Sequence, residues 1–188
     1  MSSAAAASQA SKPLRERALY PTRRPKEVCF WGGWLIPTNY AYRLPTESEW
    51  EYACRAGTTT AFYSGSSLHS GQANFDGHQE YDAVLDAIHN SSGIYLETTT
   101  PVGSCAANGW GLYDMAGNVW EWCQDWYGAY PAGSVIDPQG AVTGSIRVTR
   151  GGSWINEAGF CRSAYRVIDY PGHRDSIFGC RVVLAPGQ

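Results

Sequence analysis

The chain is 188 residues long, 44% hydrophobic and only 16% charged, with 14 basic residues against 17 acidic ones and a formal net charge of −3. That length fits one domain with its own core, with or without a short tail. The charge balance gives no electrostatic footprint for nucleic acid, and no apolar run approaches the roughly 20 residues that cross a bilayer as a helix.

The chain opens with a Ser/Ala-rich stretch, Met1 to Gln9, that lacks the charged and apolar regions of a secretory signal. This makes the cytoplasm the default compartment and leaves display at a surface by another route open. Residues 1–26 read as a disordered leader. Its basic residues Lys12, Arg15, Arg17, Arg23, Arg24 and Lys26 read as a solvated tail rather than a binding arm. The domain is expected over 27–188. An aromatic stretch from Val28 to Leu35 is compatible with a short helix, although Gly32 and Gly33 count against one.

The next segment, Tyr42 to Gly57, predicts a strand end, a proline stop and a capped helix. Thr46 is the expected N-cap and Glu49 completes a capping box. Trp50, Ala53 and Cys54 form the buried stripe, and Gly57 ends the helix at C′. Residues 58–100 read as a long surface excursion with a short helix over Tyr81–His89, and an excursion of that length needs an ion or an aromatic anchor.

From Gly109 a turn delivers a strand in which Val119, Glu121 and Cys123 face one way and Trp120, Trp122 and Gln124 the other. Further strands are expected over Arg147–Trp154 and Gly179–Leu184. With 21 Gly, 12 Tyr and 8 Trp and no heptad pattern, turns and buried rings rather than long helices must hold the backbone. The six cysteines, Cys29, Cys54, Cys105, Cys123, Cys161 and Cys180, form no CxxC pair. Buried thiols are therefore expected rather than a disulfide framework or a zinc site.

Four motifs carry a resemblance: Arg43-Leu44-Pro45-Thr46-Glu47-x-Glu49-Trp50-Glu51-Tyr52-Ala53, Gly111-Leu112-Tyr113-Asp114-Met115-x-Gly117-Asn118-Val119-Trp120-Glu121-Trp122, Arg150-Gly151-Gly152-Ser153-Trp154 and Cys161-Arg162-Ser163-Ala164-x-Arg166. In this order they resemble the formylglycine-generating-enzyme (sulfatase-modifying factor) superfamily over roughly residues 27–186. The resemblance implies an α+β fold of the irregular C-type-lectin-like kind, with small antiparallel sheets, two helices and many loops. It also implies that the family domain is N-terminally shortened here.

The same resemblance bears on catalysis. The family's copper-binding cysteine pair falls on Asn156 and Cys161, and an amide supplies no thiolate. No copper is therefore expected, and the chain is expected not to be an enzyme. The histidines His69, His78, His89 and His173 form no ligand-spaced pair. The carboxylates Glu49, Glu51, Glu121 and Asp125 lie inside structural motifs and read as fold-supporting. Asp114, Gly117, Val119 and Glu121 match the family's calcium loop, which implies a structural Ca2+ held by hard oxygen ligands.

Between Trp154 and Cys180 a mixed, aperiodic set of residues alternates with a fixed frame. The set is Ile155, Asn156, Phe160, Tyr165, Val167, Ile168, Asp169, Tyr170, His173, Asp175, Ser176 and Ile177. Each can be encoded by replacing adenines in the asparagine codon AAC. Lys, Gln, Glu, Met and Trp cannot, and Glu157 is the only one of these five residue types in the stretch. The segment 155–178 is thus similar to that of the variable proteins of diversity-generating retroelements. This implies a patch of exposed side chains, with Tyr165 and Tyr170 as aromatic anchors, that binds a protein or cell-surface ligand. The alternatives are an enzyme of the formylglycine-generating class or a degenerate, non-catalytic member of it.

Overall fold

Local capping chemistry is the clearest signal in the sequence, and the computed structural model builds the one α-helix among the described residues from it. The described residues are 28–31, 34–37, 39–82 and 86–186. Helix α1 runs Glu47–Arg55, with Thr46 accepting from the Glu49 amide and the Glu49 side chain returning to the Thr46 amide. Both halves of the expected capping box are present. The left-handed cap falls on Ala56 at φ 46°, one residue earlier than the predicted stop, and Gly57 follows at φ 91°. Trp50 and Cys54 are buried as expected, whereas Ala53 is half-buried.

Two expected helices are hairpins instead. Strands β1 (Val28–Trp31) and β2 (Trp34–Pro37) pair antiparallel, which corrects the helix reading of Val28–Leu35. Strand β3 (Tyr40–Arg43) follows. Strands β4 (Gln79–Asp82) and β5 (Ala87–Asn90) likewise pair antiparallel across Tyr81–His89. Asp86, at φ 46°, adopts the left-handed conformation that a helix forbids, and the Tyr81 hydroxyl donates to its carboxylate.

The main sheet has four strands in the order β8-β7-β6-β9. These are β6 (Trp120–Trp126), β7 (Arg147–Arg150), β8 (Arg166–Asp169) and β9 (Phe178–Gly179), followed by β10 (Val183–Pro186), which pairs with β3. β9 lies parallel to β6 and the other two pairings are antiparallel. Cys123 on β6 and Val148 on β7 join Trp50, Cys54 and Met115 in one core cluster under α1. The period-2 alternation predicted along β6 is present: Glu121, Cys123 and Asp125 are buried, while Trp122, Gln124 and Trp126 are half-buried.

A second cluster anchors the long excursion. Phe62, Leu68, Phe75 and Tyr81 pack with Ala116, Ala158 and Cys161, so aromatic anchors serve as its staple. Amides add to this: Asn74 Nδ2 donates to the Thr98 carbonyl at 2.9 Å and to Asn118 Oδ1 at 3.2 Å. The expected leader, residues 1–26, lies outside the described residues.

Candidate functional site

The twelve positions singled out in the sequence lie just before and within a 3-10 turn (Ala158–Cys161), at Tyr165 before strand β8, on β8 itself and in the loop from Tyr170 to Ile177. None of the twelve is buried. Ile155, Ile168, Tyr170, His173, Asp175 and Ser176 are exposed, and Asn156, Phe160, Tyr165, Val167, Asp169 and Ile177 are half-buried. Of the frame around them, Cys161 and Ser163 are buried, Trp154, Arg162, Arg166, Gly179 and Arg181 are half-buried, and Ala164, Pro171 and Arg174 are exposed. All twelve positions thus stay out of the core.

The register explains why. β8 is an edge strand, so its residues are covered from one side only. Val167 pairs with Thr149, which in turn faces Trp122, so the three form a row across one face of the sheet. Ile168 lies on the opposite face beside the buried Val148 and stays 40% exposed. The loop after β8 then crosses to the other edge, where the Trp120 amide donates to the Ile177 carbonyl at 2.7 Å. Within it His173 Nδ1 lies 2.6 Å from Asp169 Oδ2, and its ring packs on Phe178 at 5.3 Å. Phe178 stacks on Trp122 at 5.3 Å, and Tyr165 contacts Phe160 at 5.0 Å and Trp120 at 6.5 Å.

Trp122 and Phe178 are site residues that the sequence reading did not select. The alternation along β6 already placed Trp122 opposite the buried Cys123, so the signal was present but read only as packing. Asn156 is used by the fold: its Oδ1 accepts from the Ser153 amide at 3.1 Å and from Ser153 Oγ at 2.5 Å.

The positions of the family's catalytic pair hold no reactive thiolate. Cys161 is packed against Gly152, where an added Cβ would lie 2.5 Å from its Sγ, and burial pushes its thiol up to about 12. Burial likewise raises Cys54 to about 11 and raises Cys123 and Cys105. Only the thiolate attacks, so burial and the raised pKa disfavour reaction at Cys54, Cys123 and Cys161 while the protein is folded. Iodoacetamide on the native protein at pH 8 is expected to label the exposed Cys180 and spare Cys54, Cys123 and Cys161. Peptide mass mapping reads this out, and rapid labelling of Cys161 would refute it.

The proposed calcium ligands are answered from within. Both Glu121 oxygens accept from Arg181 at 2.6 Å, and Glu121 Oε2 also accepts from Trp50 Nε1 at 2.6 Å. Asp114 Oδ2 accepts from the Gly103 amide at 2.7 Å, and the Gly117 carbonyl accepts from the Val119 amide at 3.0 Å. Among the described residues no three His, Cys, Asp or Glu side chains gather as a metal cluster. As arranged, these donors do not fit a calcium ion, which would have to displace a bidentate guanidinium. Melting is therefore expected to be the same in millimolar CaCl2 and in EDTA; a rise of several degrees with CaCl2 would restore the ion to this loop.

The carboxylates expected to support the fold do so. Glu49 pairs with Arg43 at 2.7 Å, Glu51 with Arg55 at 2.8 Å, and Asp125 Oδ2 accepts from the Glu47 amide at 2.7 Å. A cavity of about 820 Å3 lies between α1 and the loop after β6, lined by Glu47, Asp125, Tyr130 and Arg166 among others. Its charges are largely spent internally: Glu47 takes Arg166 at 2.5 Å and the Tyr130 hydroxyl at 2.8 Å.

An α+β scaffold of small sheets and loops, presenting a half-exposed aromatic face beside an exposed loop, defines the C-type-lectin-like class. Within it, the model of the sulfatase-modifying factor enzyme 1-like domain matches residues 3–186, and the chain belongs to that family. The formylglycine-generating enzyme of Thermomonospora curvata is 40% identical over 187 residues, covering 88% of this chain and 58% of its own length. The serine/threonine-protein kinase pkn1 of Chlamydia caviae is 41% identical over 157 residues, covering 79% of this chain and 22% of its own. Among solved structures, Treponema denticola variable protein 1 superposes with a TM-score of 0.59 at 36% identity, covering 75% of this chain and 46% of that one. The chain thus spans little more than half of these relatives, or less. No described helix is long and apolar enough to cross a membrane.

Proposed function

We propose that this chain is a ligand-binding variable protein of a diversity-generating retroelement, and that it does not generate formylglycine. The carrying observation is that all twelve positions compatible with adenine replacement avoid the core, six of them exposed and six half-buried. Exposed positions tolerate substitution because little packing is lost when they change. Tyr170, 66% exposed, shares its loop with the exposed His173, Asp175 and Ser176, and Ile155 is 48% exposed, a mixture suited to binding varied protein or cell-surface ligands. The fold shared with Treponema denticola variable protein 1 supports the reading. Against the catalytic alternative stand the amide of Asn156, committed to Ser153, and the buried thiol of Cys161.

The test is the DNA sequence around the gene. A near-copy of codons 155–178 that differs only where it carries adenine is expected, with a reverse transcriptase gene nearby. Absence of both removes the proposal, and oxidation of a cysteine peptide by the purified chain would establish the enzyme instead. A stability measurement checks the physical premise. Changing Ile155, Ile168, Tyr170, Asp175 and Ser176 one at a time to alanine is expected to shift the melting temperature by no more than about 2 °C each, since surface changes cost about 0.5 kcal/mol or less. Val148→Ala alone, in the core, is expected to cost about 2 kcal/mol.

A further inference from the structure

Next to Tyr165, at the C-terminal end of α1, lies a second cavity of about 300 Å3. Arg55, Thr59, Thr60, Tyr81, Arg162 and Tyr165 line it, and its lining contains two guanidinium groups and no carboxylate. Arg55 is neutralised by Glu51 and also donates to the Thr60 carbonyl at 3.0 Å. Arg162 differs. Its Nε donates to the Gly159 carbonyl at 3.0 Å, a partner that carries no charge. Among the described residues no ion pair neutralises it.

Arg162 is also held in place. Its guanidinium carbon lies 5.6 Å from the ring centre of Tyr81 and 5.6 Å from that of Tyr165. Rings on two sides orient the planar group without consuming its charge. A guanidinium has five N–H donors, so a bond to the Gly159 carbonyl and one to the Tyr81 hydroxyl leave further donors for a ligand. Nearby, Arg55, Arg150 and Arg166 share Glu47 and Glu51 between them, and the Asp86 carboxylate is engaged by the Tyr81 hydroxyl.

We infer that this cavity binds a carboxylate group, from an acidic side chain or a chain terminus, with Arg162 as the charged partner. Arginine matches a carboxylate with two parallel N–H bonds, a geometry that a neutral amide cannot satisfy at both atoms. The volume lies at the lower end for ligand pockets and suits one such group rather than a whole cofactor. Tyr165 belongs both to this cavity and to the twelve-residue patch, so a ligand lying on the patch can reach it. The arginines belong to the fixed frame, and the inference therefore stands or falls separately from the reading of the patch as diversified.

The experiment titrates the full 15N-labelled chain at constant ionic strength with three blocked compounds. These are N-acetyl-glutamate amide for a side-chain carboxylate, N-acetyl-alanine for a terminal one, and N-acetyl-glutamine amide as the neutral control. Saturable shifts at the Arg162 Nε–H and the Tyr165 amide are expected with at least one acid, and which acid saturates first names the source. The neutral compound is expected to bind at least tenfold more weakly. Arg162→Met is expected to abolish the response, and Arg162→Lys, which keeps the charge but not the fork, to weaken it. Acid and amide acting alike on the unaltered chain, or no saturation by roughly 50 mM, where affinity falls below the weak millimolar range, would overturn the inference whatever the variants do.

Discussion

Replacing Arg150 with methionine is expected to destabilise the protein by roughly 3–5 kcal/mol, the cost of removing one partner from a buried ion pair. Arg150 is fully buried. Its guanidinium donates to Glu51 and to the Tyr165 carbonyl, approaches Glu47 Oε1 at 3.5 Å and lies 5.3 Å from the Trp50 ring centre. One side chain thereby ties β7 to two turns of α1 and to the residue that precedes β8. Methionine fills much of the volume but leaves Glu51 with Arg55 alone and leaves a carbonyl without its donor. For a domain of this size the loss corresponds to a fall of roughly 6–20 °C in melting temperature. In urea the midpoint is expected to move with the slope unchanged. Adding Glu51→Gln to Arg150→Met is expected to recover none of the loss, because Glu51 still pairs with Arg55 at 2.8 Å. A loss below about 1 kcal/mol would mean that the cluster merely occupies space.

Gly117→Ala is expected to be comparably severe. Gly117 sits at φ 73°, and a Cβ there would lie 2.2 Å from the Asn74 carbonyl oxygen and 2.9 Å from its carbon. These atoms are backbone and cannot step aside. The Gly117 amide donates to the Gly151 carbonyl at 2.8 Å, and the Asn118 amide to the Asn74 carbonyl at 2.7 Å. The glycine therefore lets two distant loops and the Gly-Gly turn after β7 meet at backbone distance. Left-handed strain of about 1–2 kcal/mol and overpacking of about 1–3 kcal/mol sum to roughly 2–5 kcal/mol. Gly172→Ala is the control: nothing lies within 4 Å of its added Cβ, and its φ is not in the left-handed range. Urea denaturation of both variants checks the contrast, and equal losses would sink the close-approach explanation.

These two residues mark a boundary in what the sequence discloses. Gly117 was legible as a special glycine, but it was assigned to a metal loop. Its requirement comes from Asn74, far away along the chain. Arg150 stood in a recognisable motif without any sign that it would be buried, because its partner Glu51 lies 99 positions earlier. The calcium loop shows the same limit. Asp114 and Glu121 are placed in sequence as ligands would be, yet Arg181, 60 positions from Glu121, supplies the positive charge.

The sequence by itself determined the capped helix, the alternation along β6 and the family. Capping and alternation are short-range: a side chain reaching its own helix start, or successive residues facing opposite sides, needs no distant partner. The tertiary structure decided that two helix-compatible stretches became hairpins, that the Trp122 and Phe178 rings stack beside the twelve positions, and that Arg162 lines a cavity with no carboxylate. Each of these depends on which strand lies beside which. The propensity of a short apolar run for helix or strand is weak, and pairing with a neighbouring strand overrides it. Whether a charge is spent or left free is settled by residues that meet only when the chain has folded.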